Sequence, residues 1–296
     1  MILLTGVSGF IGKHLLSALI KDYGAEQILA LTSKPITECP YLLHHNYTFE
    51  DSYFVKSGYD SIRTIIHAGA FTPKNGSEAN DWAKCNSNIF NTGKLLLAHL
   101  PNLKKIIYLS TLDVYGNDDI VTERTLLEPV SLYGASKLYG EKMISCWSKE
   151  NKKICQLLRL GHVYGPGEES YQKIIPITIQ KLLKNRPLEI WGTGNEIRSF
   201  IYINDIVKAI LQSLKLEISI GAINLVGGQQ ITIRALIEKL AELSGGDAQI
   251  EIVPTDAKGR DLVFDNSRMK EFLLSSEISL DEGLTEEWEY MKQQGE

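Results

Sequence analysis

Tyr133 and Lys137 stand four residues apart in the stretch Tyr133-Gly134-Ala135-Ser136-Lys137. On a helix, residues at that spacing share a face, so the phenol and the ammonium point the same way. A phenol ordinarily titrates near pH ~10, and a cation held beside it favours the phenolate, moving the group toward the working range of an acid-base catalyst. Such pairs also arise by chance, so their meaning depends on what the rest of the chain places beside them. Ser110-Thr111-Leu112-Asp113-Val114-Tyr115-Gly116 follows the apolar run Lys105 to Leu109. Polar residues just past a buried parallel strand stand where such sheets bind ligands. Thr111 is the best hydroxyl to partner Tyr133, and Asp113 is the best local carboxylate for proton traffic, although an aspartate in a loop also serves as a turn or cap residue. Arg198, on a predicted strand from Ile197 to Ile203, suits a diphosphate, which it can bind bidentately. A lone arginine is also an ordinary surface charge.

The elements that must position these groups follow from the apolar pattern. Met1 to Leu4 reads as a short buried strand, followed by the loop Thr5-Gly6-Val7-Ser8-Gly9-Phe10-Ile11-Gly12 and a helix carrying Leu15, Leu16, Leu19 and Ile20. Gly6, Gly9 and Gly12 let the backbone approach a pyrophosphate, and the helix start that holds Phe10 and Ile11 offers unpaired N–H groups. The spacing is GxxGxxG, not the commonest GxGxxG. Glycines alone also make tight turns, but their place at the start of a strand-helix alternation points to dinucleotide binding. A second strand, Gln27 to Leu31, ends in Thr32-Ser33-Lys34, with no acid to grip a ribose 2′-hydroxyl. That end tolerates the 2′-phosphate of NADP and tilts the expectation from NAD toward NADP. A strand at Thr64 to Ile66 runs into His67-Ala68-Gly69-Ala70, where Ala68 and Ala70 leave room for a cofactor.

Further on, Asn86 to Leu100 reads as a helix closed by Pro101, the Tyr133 helix continues toward Trp147, and Ile154 to Leu160 is another buried strand. The alternation loosens after it, which sets the boundary of the cofactor-binding part near His162. Helices are expected at Ile174 to Leu183, Ile206 to Leu214 and Ile233 to Leu243, with a strand at Ala222 to Leu225 and an acidic helix from Asp281. Arg260 lies in a polar loop.

Hydrophobic residues make up 44% of the 296 residues and charged residues 23%, which fits neither a disordered chain nor a membrane protein. The net charge of −5 argues against nucleic acid as a partner. Cys39, Cys85, Cys146 and Cys155 are scattered without a CxxC pair, and His44 and His45 have no ligand-spaced neighbours, so neither disulfides nor a metal site is expected. Free thiols fit a reducing cytoplasm. The opening Ile2-Leu3-Leu4 lacks the basic flank of a signal peptide, and no apolar run is long enough to cross a membrane.

TGVSGFIG from Thr5, HAGA from His67, STLDVYG from Ser110, YGASK from Tyr133, RLGHVYGPG from Arg159 and RSFIYINDIVKAI from Arg198 stand in an order and spacing that resembles the extended short-chain dehydrogenase/reductase family, in its nucleotide-sugar epimerase/dehydratase branch. The resemblance covers essentially the whole chain. It implies an α/β protein: a Rossmann domain with a doubly wound parallel sheet of about seven strands over residues 1–162, with a returning segment near 198–225, and a smaller, interleaved α/β substrate domain over 163–296. It implies that Tyr133 is the acid-base, that Lys137 binds the nicotinamide ribose and lowers the Tyr133 pKa, and that Thr111 bonds the sugar oxygen. Arg198 and Arg260 would hold the substrate diphosphate, and two helices per subunit would form a homodimer. Three departures stand out. Gly69 replaces a usual alanine. His162 stands where an asparagine commonly contacts substrate. Asp113 replaces a glutamate typical of dehydratases, beside Leu112 where the dTDP-glucose dehydratases carry an aspartate.

The expected activity is oxidation and reduction at sugar C4, by a 4-epimerase or a 4-keto-6-deoxy-sugar reductase. A 4,6-dehydratase ranks behind these because Leu112 breaks the acid pair. A Rossmann protein that binds NAD(P) without chemistry is the remaining class, and the retention of Thr111, Tyr133 and Lys137 counts against it.

Overall fold

The computed structural model describes all residues except 45, 117, 119, 246–247, 256–259 and 296. Ile2–Thr5 (β1) is buried at all four positions, and the chain leaves it through Gly6, whose φ of 77° lies in the left-handed region that glycine alone enters at no cost. Phe10–Tyr23 (α1) follows, and Gly24 at φ 86° ends it by donating its N–H to the Ile20 carbonyl. Ile28–Thr32 (β2), Tyr41–Leu43 (β3), the single turn Tyr53–Lys56 (α2) and Thr64–His67 (β4) come next. Trp82–Leu97 (α3) begins earlier than its apolar pattern indicates, because the Asp81 side chain accepts from Lys84 N and caps the first turn. Lys105–Thr111 (β5), the two-residue Ile120–Val121 (β6), Leu132–Glu150 (α4) and Ile154–Leu160 (β7) follow.

The main sheet has seven strands in the order Ala222–Leu225, β7, β5, β4, β1, β2, β3. The pairings β7–β5, β5–β4, β4–β1, β1–β2 and β2–β3 are all parallel. The strand order reverses between β1 and β4, and in such sheets the carboxyl ends beside that reversal form the ligand crevice. Thr5 and His67 are paired there at the ends of their strands. Leu3, Leu29, Leu31, Phe54, Ile65, Tyr108 and Ile144 pack into the core that holds these ends in place. Burying a side chain of this size contributes about 1.5–3 kcal/mol, which fixes the strand ends far better than the loops beyond them.

The chain divides into two compact units, one of residues 1–116, 126–160 and 207–223, the other of residues 117–125, 161–206 and 224–296. In the second unit a three-stranded sheet places Ile197–Tyr202 between Gln230–Thr232 and His162–Tyr164. Parallel pairs Leu188–Trp191 with Ile250–Val253 and β6 with Val263–Phe264 form two further, separate two-stranded sheets, and helices Ile174–Leu183, Ile233–Leu243 and Leu280–Gly295 pack in the same unit. The helix expected from Ile206 starts at Ile203, since Tyr202 ends its strand with no loop between. Among the described residues no helix is long and apolar enough to cross a membrane.

Candidate functional site

In the first unit, Ser131 caps α4 by accepting from Gly134 N at 3.0 Å, which puts Tyr133 in the first turn of the helix. A side chain at position 134 would collide with the Asp113 carbonyl, so the glycine brings the helix start against the turn that follows Thr111. Thr111 is buried at the end of β5, and its Oγ1 accepts from Asp113 N at 3.2 Å. Tyr133 is 6% exposed and meets the edge of Phe71 at 6.4 Å between ring centroids. Lys137 is 2% exposed, with its Nζ 4.1 Å from the centroid of the Tyr108 ring. That aromatic face compensates an ammonium out of water only in part. Burial accordingly pushes Lys137 down to about 7, against the opposing pull of Glu141.

Glu141 continues the same helical face one further turn along, and the sequence reading passed over it. Its carboxylate accepts from Arg159 Nε at 2.9 Å and Nη2 at 2.7 Å, while Arg159 Nη1 donates to the Tyr115 hydroxyl at 2.6 Å. The pair locks β7, α4 and the loop carrying Thr111 and Asp113 to one another. The signal was available, because Glu141 lies four residues after Lys137 as Lys137 lies four after Tyr133.

A cavity of about 160 Å³ opens at the carboxyl ends of β1 and β2 and is lined by Gly6, Ser8, Thr32, Ser33, Ala70 and Tyr47, with His44 and Asn91 also on its wall. Gly6 lies so close to the backbone of Ala68 and Gly69 that any side chain there would fill the cradle. No side chain caps the first turn of α1, which leaves its N–H groups facing outward for an anion. The residues present fit a dinucleotide. Of those expected to hold it, Gly6, Thr32, Ser33 and Ala70 line the cavity, whereas Gly9, Phe10, Ile11, Gly12, Lys34, Ala68, Tyr133 and Lys137 do not. Lys34 is held by its main chain: its N–H donates to Thr32 Oγ1 at 3.2 Å and its carbonyl accepts the same hydroxyl at 3.0 Å. His44 packs its ring with the centroid 4.5 Å from that of Tyr47; its neighbour His45 lies outside the described residues. Tyr47, His44 and Asn91 carried no motif that marked them.

In the second unit, a cavity of about 270 Å³ is lined by His162, Arg198, Phe200, Glu168, Lys173 and Ile175 among others. Arg198 is half-buried and donates from Nη1 to the carbonyls of Ile197 at 2.8 Å and Arg260 at 2.7 Å. Burial lowers its pKa, and the Arg260 guanidinium adds to this. Arg260 is itself exposed and contributes its carbonyl to Arg198; its side chain does not line the cavity. His162 is held neutral, pushed down to about 4 by burial and then by Lys173 and Arg198, and its Nε2 has no hydrogen-bond partner. Lys173 pairs with Glu168 at 3.1 Å and donates to the Val163 carbonyl at 2.8 Å. Glu168 and Glu287 are each 1% exposed and face one another. Two buried carboxylates so placed cannot both stay ionised; burial, and then the Glu168 charge, push Glu287 up to about 10.

Residues 2–225 match the NAD dependent epimerase/dehydratase family. A dTDP-D-glucose 4,6-dehydratase from Bos taurus is 32% identical over 72% of this chain, and the match spans 64% of that relative's length. An uncharacterized UDP-glucose epimerase from Bacillus subtilis is 30% identical over 98% of this chain and 97% of its own. The solved UDP-glucuronic acid 4-epimerase from Bacillus cereus, in complex with UDP-glucuronic acid and NAD, superposes with a TM-score of 0.86 at 28% identity, covering 99% of each chain. A glycine cradle at a parallel sheet's reversal and a buried Tyr-Lys pair past the next strand are thus joined to a sequence match over most of the chain, and the protein belongs to the NAD-dependent epimerase/dehydratase family.

Proposed function

We propose that the chain is a nicotinamide-dependent oxidoreductase of nucleotide sugars that acts at sugar C4, as a 4-epimerase or a 4-keto-6-deoxy-sugar reductase. The observation that carries this reading is the burial of Tyr133 and Lys137 one turn apart on α4, in the same unit as the glycine cradle. Bound there, a nicotinamide dinucleotide accepts or supplies the hydride at C4. Tyr133 takes the proton of the C4 hydroxyl during oxidation and returns one to the C4 oxygen during reduction. Lys137 holds the nicotinamide ribose and favours the charged form of Tyr133, while Thr111 orients the sugar oxygen. Arg198 and the neutral His162 bind the diphosphate end, as charged and uncharged donors.

The strand end Thr32-Ser33-Lys34 supports NADPH over NADH, because no carboxylate repels a 2′-phosphate there. Competition between the two cofactors tests this, with equal or reversed affinities as the contrary result. Trp82, Phe90 and Leu97 on α3 are exposed by 70%, 50% and 63% at near-heptad spacing, and Tyr139 on α4 by 55%, which supports a homodimer through these helices. Light scattering reads its mass directly.

The similarity to dTDP-D-glucose 4,6-dehydratases favours a second reading, in which Asp113 adds an acid-base group for loss of water. Asp113 is exposed in the turn after β5 and has apolar Leu112 beside it, where such a reaction needs a paired acid. Turnover of UDP-, dTDP-, GDP- and CDP-hexoses by the wild type, with products analysed by mass, separates the readings: dehydration removes 18 mass units of water, whereas epimerisation leaves the mass unchanged. A wild type that binds cofactor, turns over none of these sugars and reduces none of their 4-keto-6-deoxy derivatives with NADPH or NADH would sink both.

A further inference from the structure

Thr5 and Gly69 meet at the back of the 160 Å³ cavity, and the hydrogen-bond directions around them are fixed one after another. Burial, and then the Lys137 ammonium, push His67 down to about 3, so the imidazole is neutral and carries a single N–H. Thr92 Oγ1 gives its hydrogen to the Asn88 carbonyl at 2.8 Å and must therefore accept from His67 Nε2 at 3.1 Å. His67 Nδ1 is then the bare nitrogen and accepts the Thr5 hydroxyl hydrogen at 2.9 Å. Thr5 Oγ1 also accepts the Gly69 N–H at 2.8 Å. With its own hydrogen committed to His67, it can only accept from the Tyr47 hydroxyl, which bonds it too.

That hydroxyl occupies the space a side chain at position 69 would need. A Cβ on Gly69 would stand 2.9 Å from the Tyr47 hydroxyl, 2.9 Å from Thr5 Oγ1 and 3.0 Å from Gly6 N. Tyr47 is 3% exposed, and its ring is held between His44, Phe49 and His67. Its φ of 56°, following Asn46 at 51°, is uncommon for an aromatic residue and persists only where the surroundings over-determine it. The ring meanwhile forms part of the cavity wall with Gly6, Ser8 and Thr32.

We propose that Tyr47 is a positioning residue of the cofactor seat, matched to Gly69: its hydroxyl, pinned on Thr5, sets the spacing between the β4 exit and the phosphate loop at Gly6. The inference rests on the reading of this cavity as the dinucleotide site. A methyl at position 69 forces Gly6 and Tyr47 outward and moves the N–H groups that would meet the pyrophosphate; removing the hydroxyl frees the Tyr47 side, so that only small shifts at Thr5 Oγ1 and Gly6 N remain to be made.

Titration of wild type, Gly69→Ala, Tyr47→Phe and the double variant with NADH and NADPH, followed by calorimetry, tests the match. Gly69→Ala is expected to weaken binding by about tenfold or more, the effect of overpacking a tight site. Tyr47→Phe alone should weaken it about fivefold, the loss of one hydrogen bond. The double variant should recover to within about threefold of Tyr47→Phe. Should Gly69→Ala be too unstable to titrate, recovery of a folded, binding protein on adding Tyr47→Phe supports the match equally, and failure to recover one counts against it. Wild-type affinity in Gly69→Ala, or a double variant that binds no better than Gly69→Ala, overturns the proposal while leaving the cofactor reading intact. A wild type that binds neither dinucleotide overturns that reading itself and the match with it.

Discussion

The two cavities differ in how their polar groups are spent. In the first unit Thr5, His67, Thr92 and Asn88 form one directed chain, and Glu141, Arg159 and Tyr115 form another, with donors matched to acceptors throughout. The second unit's cavity instead presents His162 Nε2 without a hydrogen-bond partner and a buried Glu168 whose charge meets the single ion pair to Lys173. Buried polar groups left unsatisfied are costly, and they persist where a ligand completes them. The difference is one of degree, since the first unit also buries Tyr108 Oη and Ser110 Oγ without a hydrogen-bond partner among the described residues.

The most severe way to break the first region is at its reacting atom. Tyr133→Phe should lower turnover of any accepted nucleotide sugar by about 10²–10⁴-fold while leaving dinucleotide affinity intact, measured by steady-state rates beside calorimetric titration. Arg159→Ala strands Glu141 as a buried charge, and urea melts should show a loss of about 3–5 kcal/mol of stability. In the second region, Arg198→Ala removes charge-assisted contacts of about 1.5–3 kcal/mol and should raise KM for the nucleotide sugar by about ten- to hundredfold with kcat little changed; an unmoved KM would make Arg198 an ordinary surface charge.

The smallest effect sharpens the contrast most. His67 has its folded pKa lowered to about 3, so between that value and its ordinary 6.5 the unfolded chain binds the extra proton, and stability falls as pH drops through this window. Glu287 has its folded pKa raised to about 10, so the folded chain holds the extra proton above the ordinary 4.5, and stability falls as pH rises from there. Amide exchange should therefore quicken in β4 and α3 on acidification and in Leu280–Gly295 on alkalinisation. His67→Asn and Glu287→Gln should each flatten the response of their own unit alone, and a uniform response across both units would erase the distinction.

The strands and the catalytic helix were legible because each is a run of apolar residues with one period, closed by a recognisable cap or glycine. Ile154–Leu160, Ile174–Leu183, Ala222–Leu225 and Ile233–Leu243 have the bounds their patterns indicate. Starts of elements were less legible where a polar residue decides them, as Asp81 does for α3. In the candidate site, groups that announce chemistry by type could be named, among them Thr111, Tyr133, Lys137 and Arg198. Tyr47 could not, since its role depends on the absence of a side chain at a residue 22 positions later in the chain. Lys173 and Glu168 were equally silent, because a lysine and a glutamate five apart acquire meaning only when one of them is buried.

The Ser131 cap has one more effect. It starts α4 at Leu132, so Tyr133 lies within the first turn, where the aligned peptide dipoles concentrate about half a unit of positive charge. Side chains on a helix lean toward its N-terminus, and Tyr133 stands one residue inside that end. In the proposed reaction, negative charge developing on Tyr133 would be met by the backbone as well as by Lys137. Because this field comes from fixed peptide groups, it needs no reorganisation during turnover and is present whether or not the lysine carries its proton.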